Sequence, residues 1–464
     1  MNQYMDNIDA FLQENEQSII KDLQTLVRIK SVSEEQSPVK PYGQGCRDVL
    51  DKALELGAAL GFDTRNYEYY CGSVSLGTQE KDIAIWSHLD VVPEGEGWAT
   101  PPYAAEYQDG FVIGRGSDDN KASAVLGLYL MKFLKEQQVP MRYQVKLMLG
   151  CNEEKGMADT AYYLAHYKPA ALSLIADTEF PVCYGEKGVY EADIAFDLKE
   201  GNLLAFDAGL ASNIVPAKAA VRVKNLAGTT SLPETEWITP TLQGDEILLE
   251  ARGVSAHAAF PDGSQNAIAS AVDYLLAHNL LDECLVPLFT FLQRATNTCH
   301  GEAYGIAFED ELSGVLTCNS GMLHLKDGVL TLNMNIRYPI TDDADKITAS
   351  IRKTAEQAGG KLVSVEDSKP NYFDKNHPAV SLLTQIYNDC TGDNKQPYTM
   401  GGGTYARKLP NAIAFGPGLP GPTRDLPAGH GGAHQPDEYK SIESLKKALK
   451  IYIISILRLN ELEL

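Results

Sequence analysis

Apolar and polar positions divide this chain into two textures. In the first half, short apolar runs stop abruptly at polar residues: KDIAIWSHLDVV (81–92), YQVKLMLGCNEE (143–154) and ALSLIAD (171–177). Runs of that length read as buried strands. Between them, KASAVLGLYLMKFLKEQQ (121–138) and MADTAYYLAHY (157–167) read as helices, and an amphipathic helix precedes them all. Strands alternating with helices predict an α/β layer built on a mixed, largely parallel sheet. From 187 to 374 the pattern changes to amphipathic strands, among them YEADIAFDL, KAAVRVKNL, EILLEARGV and GVLTLNMNIRYP, with helices near 265–278 and 344–358. This predicts a smaller α+β sandwich, ferredoxin-like, inserted into the first domain. The chain then returns to helix (HPAVSLLTQIYNDC), a Gly/Pro-rich loop region (400–433) and a last helix (440–460). The expected domains are 1–186 with 375–464, and an insert of 187–374.

The 464-residue length is consistent with more than one core. With 62 acidic residues against 40 basic ones, the formal charge is -22, which disfavours nucleic acid and anionic membranes as partners. The N-terminal segment lacks a basic stretch followed by an apolar run, so no signal peptide is expected. No apolar run approaches bilayer length. Eight scattered cysteines without a CxxC pair suggest free thiols in a reducing compartment, and a cytoplasmic location is expected.

The polar residues that end the apolar runs fall at the carboxyl ends of strands, where open α/β sheets place their ligands. His88 and Asp90 stand two apart, so Asp90 is expected to accept the other ring N–H of His88 and orient it. A buried His–Asp hydrogen bond alone would look the same. In GRGSDDNKAS (114–123), Asp118 and Asp119 precede a helix; capping is the ordinary role, but a carboxylate at a tight turn can also bridge two cations. The adjacent Glu153 and Glu154 point in different directions, so one can bind metal while the other acts as general base. Asp177 follows another apolar strand, and AGHGGAHQPDEY offers His430 or His434. Two histidines and three carboxylates with a separate carboxylate base suit zinc or manganese at a two-metal hydrolytic site. No P-loop, Rossmann fingerprint, HExxH or GxSxG competes.

Taken in order, SHLDVVPEGEGW, GRGSDDNK, NEEKGM, DTEFPVCYGEKG, SNIVP, GVSAHAAFP, GGGTYAR and HQPDEY resemble the motifs of the co-catalytic-zinc metallopeptidases, from about residue 9 to 456. That family includes carboxypeptidase G-like enzymes, peptidase T, aminoacylases and carnosinases, and the likeness is strongest to its peptidase V (Xaa-His dipeptidase) group. The resemblance implies that His88 and Asp177 hold one metal, Glu154 and His434 the other, and that Asp119 bridges them. It implies Glu153 as general base, Asp90 as the residue orienting His88, and His257 as the lid histidine that stabilises the oxyanion. Asn213, Arg337 and the amides of Gly401, Gly402 and Gly403 are implied to hold the substrate. The chain departs from the family at Asn120-Lys121-Ala122, where relatives usually have Lys-Gly after Asp or Met; a cis peptide commonly follows the bridging Asp. The expected cofactors are two divalent ions, zinc first, with manganese or cobalt as alternatives. The expected activity is hydrolysis of unblocked dipeptides; the alternative is an N-acyl-amino-acid amidohydrolase on the same scaffold. A catalytically silent binding protein would not need the complete donor set. The partner is a small peptide substrate, and the long insert implies a monomer, with a dimer through the lid as the other arrangement.

Overall fold

Three of the apolar runs form neighbouring strands. In the computed structural model, which describes residues 2–34, 37 and 39–464, the strands Gln144–Gly150, Asp82–His88, Leu172–Ile175 and Ala412–Ala414 lie side by side in that order, all parallel. An antiparallel hairpin of Asp63–Tyr67 and Cys71–Leu76 extends the sheet beyond Gln144–Gly150. Asp82–His88 is buried at every position, as expected for a strand covered on both faces. The helix Lys121–Glu136 packs on this sheet and is buried for nearly its whole length. Gly127 permits the approach, since a Cβ there would lie 2.5 Å from the Leu147 side chain. Helices Asn2–Val27, Gly43–Ala59, Pro378–Thr391 and Ile442–Leu459 contribute to the same apolar core.

Because the central strands run parallel, their carboxyl ends share one edge of the sheet. His88 is the last residue of its strand, Glu153 and Glu154 open a short 3-10 turn just after Gly150, and Asp177 follows Ile175. A small three-stranded sheet of Tyr439–Ser441, Phe111–Ile113 and Glu106–Gln108 ties the C-terminal segment to the strand that leads into the 114–119 loop. These elements belong to a compact unit formed by Met1–Tyr184, Tyr372–Tyr398 and Thr404–Leu464.

The second unit comprises Gly185–Asn371 and Thr399–Gly403. Gly401, Gly402 and Gly403 therefore go with Asn213, His257 and Arg337 and not with the residues around His434. Its sheet has eight strands, with every described pairing antiparallel. This is an α+β layer wider than a four-stranded ferredoxin-like sheet. Alternating burial along Gly188–Asp197, Lys218–Lys224 and Glu246–Arg252 marks one covered face. Helices Ala267–Ala277, Val286–Asn297 and Ala344–Gln357 pack against the sheet and share its core. Among the described residues, no helix is long and apolar enough to cross a membrane.

Candidate metal centre

At the shared strand edge, His88 is 1% exposed. Its Nδ1 donates to the main-chain oxygen of Asp90 at 2.9 Å. This leaves Nε2 facing two carboxylates: Asp119 Oδ1 at 3.0 Å and Asp177 Oδ1 at 3.7 Å. The orienting contact differs from the expectation, because the strand ends at His88 and the chain turns. The Asp90 carboxylate stands 3.6 Å from His88 Nδ1, and its two oxygens accept the main-chain N–H groups of Glu153 and Glu154, each at 3.1 Å. Asp90 thus fixes the turn that presents both glutamates.

Asp119 looks both ways. Its Oδ1 faces His88, and its Oδ2 lies 3.1 Å from His434 Nε2, which is also 3.1 Å from Glu154 Oε1. Two donor groups result, His88–Asp119–Asp177 and Asp119–Glu154–His434, each with its ligand atoms within 4.8 Å of one another. His434 occupies the left-handed backbone region (φ 63°), one His adopts more readily than most residues. His430 is instead paired with Asp437 Oδ2 at 2.7 Å, away from these carboxylates.

The electrostatics follow from crowding charges in a buried place. Burial pushes the Asp177 carboxyl up to about 6, against the pull of His88. Burial raises the Glu153 carboxyl well above its ordinary range, and the neighbouring carboxylates, Asp177 first, add to this. Burial also opposes a charge on His88, yet Asp177 and Asp119 hold its ring well above the usual value. Hydrogen bonds to Asp119 and Glu154 lift His434 to about 10. Asp119, although buried, is held below the usual carboxylate range by His434 and His88. A concentration of carboxylates that must share protons with imidazoles is a site that favours cations.

Glu438 and Asp159, which the sequence reading passed over, complete the frame together with Asn120, which it noted only as a departure from the family pattern. Glu438 is fully buried; its Oε2 accepts from Arg115 at 2.6 Å, and its Oε1 accepts the N–H groups of Asp118 (3.0 Å) and Asp119 (3.1 Å). Burial and the Asp119 charge push its carboxyl up to about 7, against the Arg115 guanidinium. Asn120 donates to Asp177 Oδ1 at 2.6 Å and to the Ala176 oxygen at 2.8 Å, while its own oxygen accepts from Ser87 at 2.7 Å. The departure from the family pattern at 120 thus places an amide against Asp177, and the Asp119–Asn120 peptide is cis. Asp159 accepts from the main-chain N–H of Cys151 (2.8 Å) and Asn152 (3.1 Å) and from the Tyr405 hydroxyl, anchoring the approach to Glu153. Glu438 and Asp159 stand among ordinary acidic residues in the sequence, and nothing but the fold separates them from solvated ones.

In the second unit the remaining candidates form one connected patch. Asn213 O accepts from Ala258 N–H at 2.8 Å, and Ile214 pairs with His257 across an isolated bridge. His257 Nδ1 accepts from Ala259 N–H at 3.1 Å, so in the neutral ring Nε2 carries the hydrogen. Gly401 lies against Ala259, where an added Cβ would come within 2.8 Å of the alanine side chain. The Gly401 oxygen accepts from Arg337 at 3.1 Å, and Arg337 also donates to Asn335 at 2.9 Å. Arg337 is buried rather than exposed on its strand.

The profile of the peptidase family M20/M25/M40 matches residues 84–458. "Putative dipeptidase YtjP" of Bacillus subtilis (strain 168) is 31% identical, over 96% of this chain and 97% of that protein. Among solved structures, the dipeptidase Dug1p from Saccharomyces cerevisiae aligns over the full length of both chains at 14% identity, with a TM-score of 0.60. Human carnosine dipeptidase 1 aligns over 99% of this chain and 100% of its own at 12% identity, with a TM-score of 0.55. At these identities the two structures establish a common fold.

Proposed function

The chain belongs to the peptidase family M20/M25/M40, and from that premise we propose that it is a dipeptidase that hydrolyses unblocked dipeptides at a centre of two divalent ions. One observation carries the reading. The two oxygens of Asp119 face separate donor groups, His88 with Asp177 and His434 with Glu154. Imidazole and carboxylate donors suit zinc, and also manganese or cobalt. When bound, the ions supply Lewis-acid polarisation of the scissile carbonyl and lower the pKa of the attacking water.

The protein's own groups do the rest. Glu153 is next to a proposed ligand, held by its N–H on Asp90 and raised in proton affinity by burial. It takes the proton from the attacking water and delivers it to the leaving amine. His257 donates from Nε2 to the oxyanion, and Arg337 with Asn213 and the 401–403 glycines receives the substrate's carboxylate end. Scattered cysteines with no CxxC pair support a reducing, cytoplasmic setting.

The test is a hydrolysis screen of free dipeptides against N-acetyl and N-succinyl amino acids, run with and without chelator. Free dipeptides alone should be cleaved, and only with metal. Cleavage of the acylated amino acids alone would move the assignment to a deacylase. Glu153→Gln should keep its metal and lose about 10²- to 10⁴-fold in kcat. An active Glu153→Gln enzyme would place the base elsewhere.

A further inference from the structure

The second unit carries another cluster of metal-type donors, contributed by Asp262, Cys299 and His300. We propose that these three residues form a further binding site, for one zinc-class ion. Their ligand atoms lie within 4.8 Å of one another. His300 is already oriented, since its Nδ1 donates to the Leu316 oxygen at 2.9 Å and its Nε2 lies 3.2 Å from Asp262 Oδ1. An imidazole fixed through one nitrogen by a carbonyl, with the other turned to a carboxylate, has the usual arrangement of a metal-binding histidine. A plain surface His–Asp pair would account for that 3.2 Å contact. The sulfur of Cys299, the residue before His300, lies in the same small space and adds a third donor.

The base of the site is anchored, because the Cys299 oxygen accepts the N–H of Cys318 at 2.8 Å in the adjoining strand Thr317–Lys326. Asp262 and Cys299 also line a cavity of about 160 Å³, together with Asn319 and Ser320. That space leaves room for a water or small ligand as fourth donor, as in tetrahedral zinc sites with three protein ligands. Burial raises the Cys299 thiol, and the Asp262 and Glu302 carboxylates raise it further. The same negative surroundings that oppose a bare thiolate attract a dication, which would then deprotonate the sulfur. One thiolate, one imidazole and one carboxylate select a borderline ion such as zinc over magnesium or calcium, which take oxygen donors. The ion would clip the 258–266 segment, which begins beside His257, to the residues that follow helix Val286–Asn297.

Cobalt separates this site from the centre in the first unit, where none of the donors is a thiol. The full-length protein, stripped of metal and titrated with Co²⁺, should develop a near-ultraviolet sulfur-to-cobalt charge-transfer absorption. Cys299→Ser should abolish it, bind one cobalt fewer per chain and retain dipeptide hydrolysis. Asp262→Asn, at a side chain 76% exposed and so safe for folding, should weaken the cobalt responsible for that absorption at least ~10-fold. The absorption does not depend on peptidase activity, so this site and the dipeptidase reading stand or fall separately. Absence of the absorption in the wild type, or its persistence in Cys299→Ser, would overturn the proposal.

Discussion

Glu438 shows how much a single buried side chain can govern. It balances Arg115 and holds the two amides that set Asp119, the residue facing both donor groups. Removing one partner of a buried ion pair typically costs about 3–5 kcal/mol, because the other charge is left uncompensated. Loss of a hydrogen-bonding partner behind a metal ligand costs about 10–100-fold in metal affinity. Glu438→Gln is therefore expected to bind zinc about 10–100-fold more weakly, measured by competition with a chromophoric chelator. Unchanged affinity with lowered stability would reduce Glu438 to a purely structural role. The sequence could not single it out. His88, Glu154 and Asp177 were legible because each ends an apolar run, whereas Glu438 follows a Gly-rich loop in the company of Asp437. Asp90 was legible as a site residue, but its partners were not. Strand alternation pointed it at the His88 ring, and the turn after His88 redirected it to two main-chain amides.

At the scale of elements, the turn from Gly150 to Thr160 carries the proposed base. Asp159 secures it through Cys151, Asn152 and Tyr405, and burial pushes the Asp159 carboxyl up to about 6. The ordinary carboxylate value is about 4. Between these two values the folded state keeps a proton that the unfolded chain releases, so this group's contribution is fully present below about 4 and is lost as the pH rises through 6. Asp159→Asn resembles the protonated form at every pH. The stability of wild type relative to Asp159→Asn, measured by urea denaturation, should therefore fall between pH 4 and pH 7; a rise over that range would refute this account. Elsewhere, legibility followed amphipathicity. Ala267–Ala277 and Ala344–Gln357 fall where apolar spacing predicted helices, near 265–278 and 344–358. Strand Lys361–Ser368 has no buried face, its Val363 and Val365 being exposed, and Thr317–Lys326 loses its alternation at a bulge between Ser320 and Met322. The first is held by the distant strand Gly188–Asp197, the second mainly by its hairpin neighbour Val329–Tyr338.

At the scale of the whole molecule, the chain forms two units, each with its own hydrophobic core. Metal should stabilise the folded chain, since ions that bind only the native state add about 2.7 kcal/mol at a hundred times their dissociation constant. Chelator is expected to abolish hydrolysis and lower the melting temperature together, with zinc restoring both in a calorimetric titration. Recovery of one without the other would uncouple the centre from the fold.

The order of the donors along the chain has a consequence for synthesis. His88, Asp119, Glu154 and Asp177 all emerge from the ribosome before the second unit is begun, while His434 follows it. A nascent chain carries every donor of one group through the long interval in which the other still lacks its histidine. On the proposed ligand assignment, a product that stops short of residue 434 keeps the donors of the first group and lacks the histidine of the second.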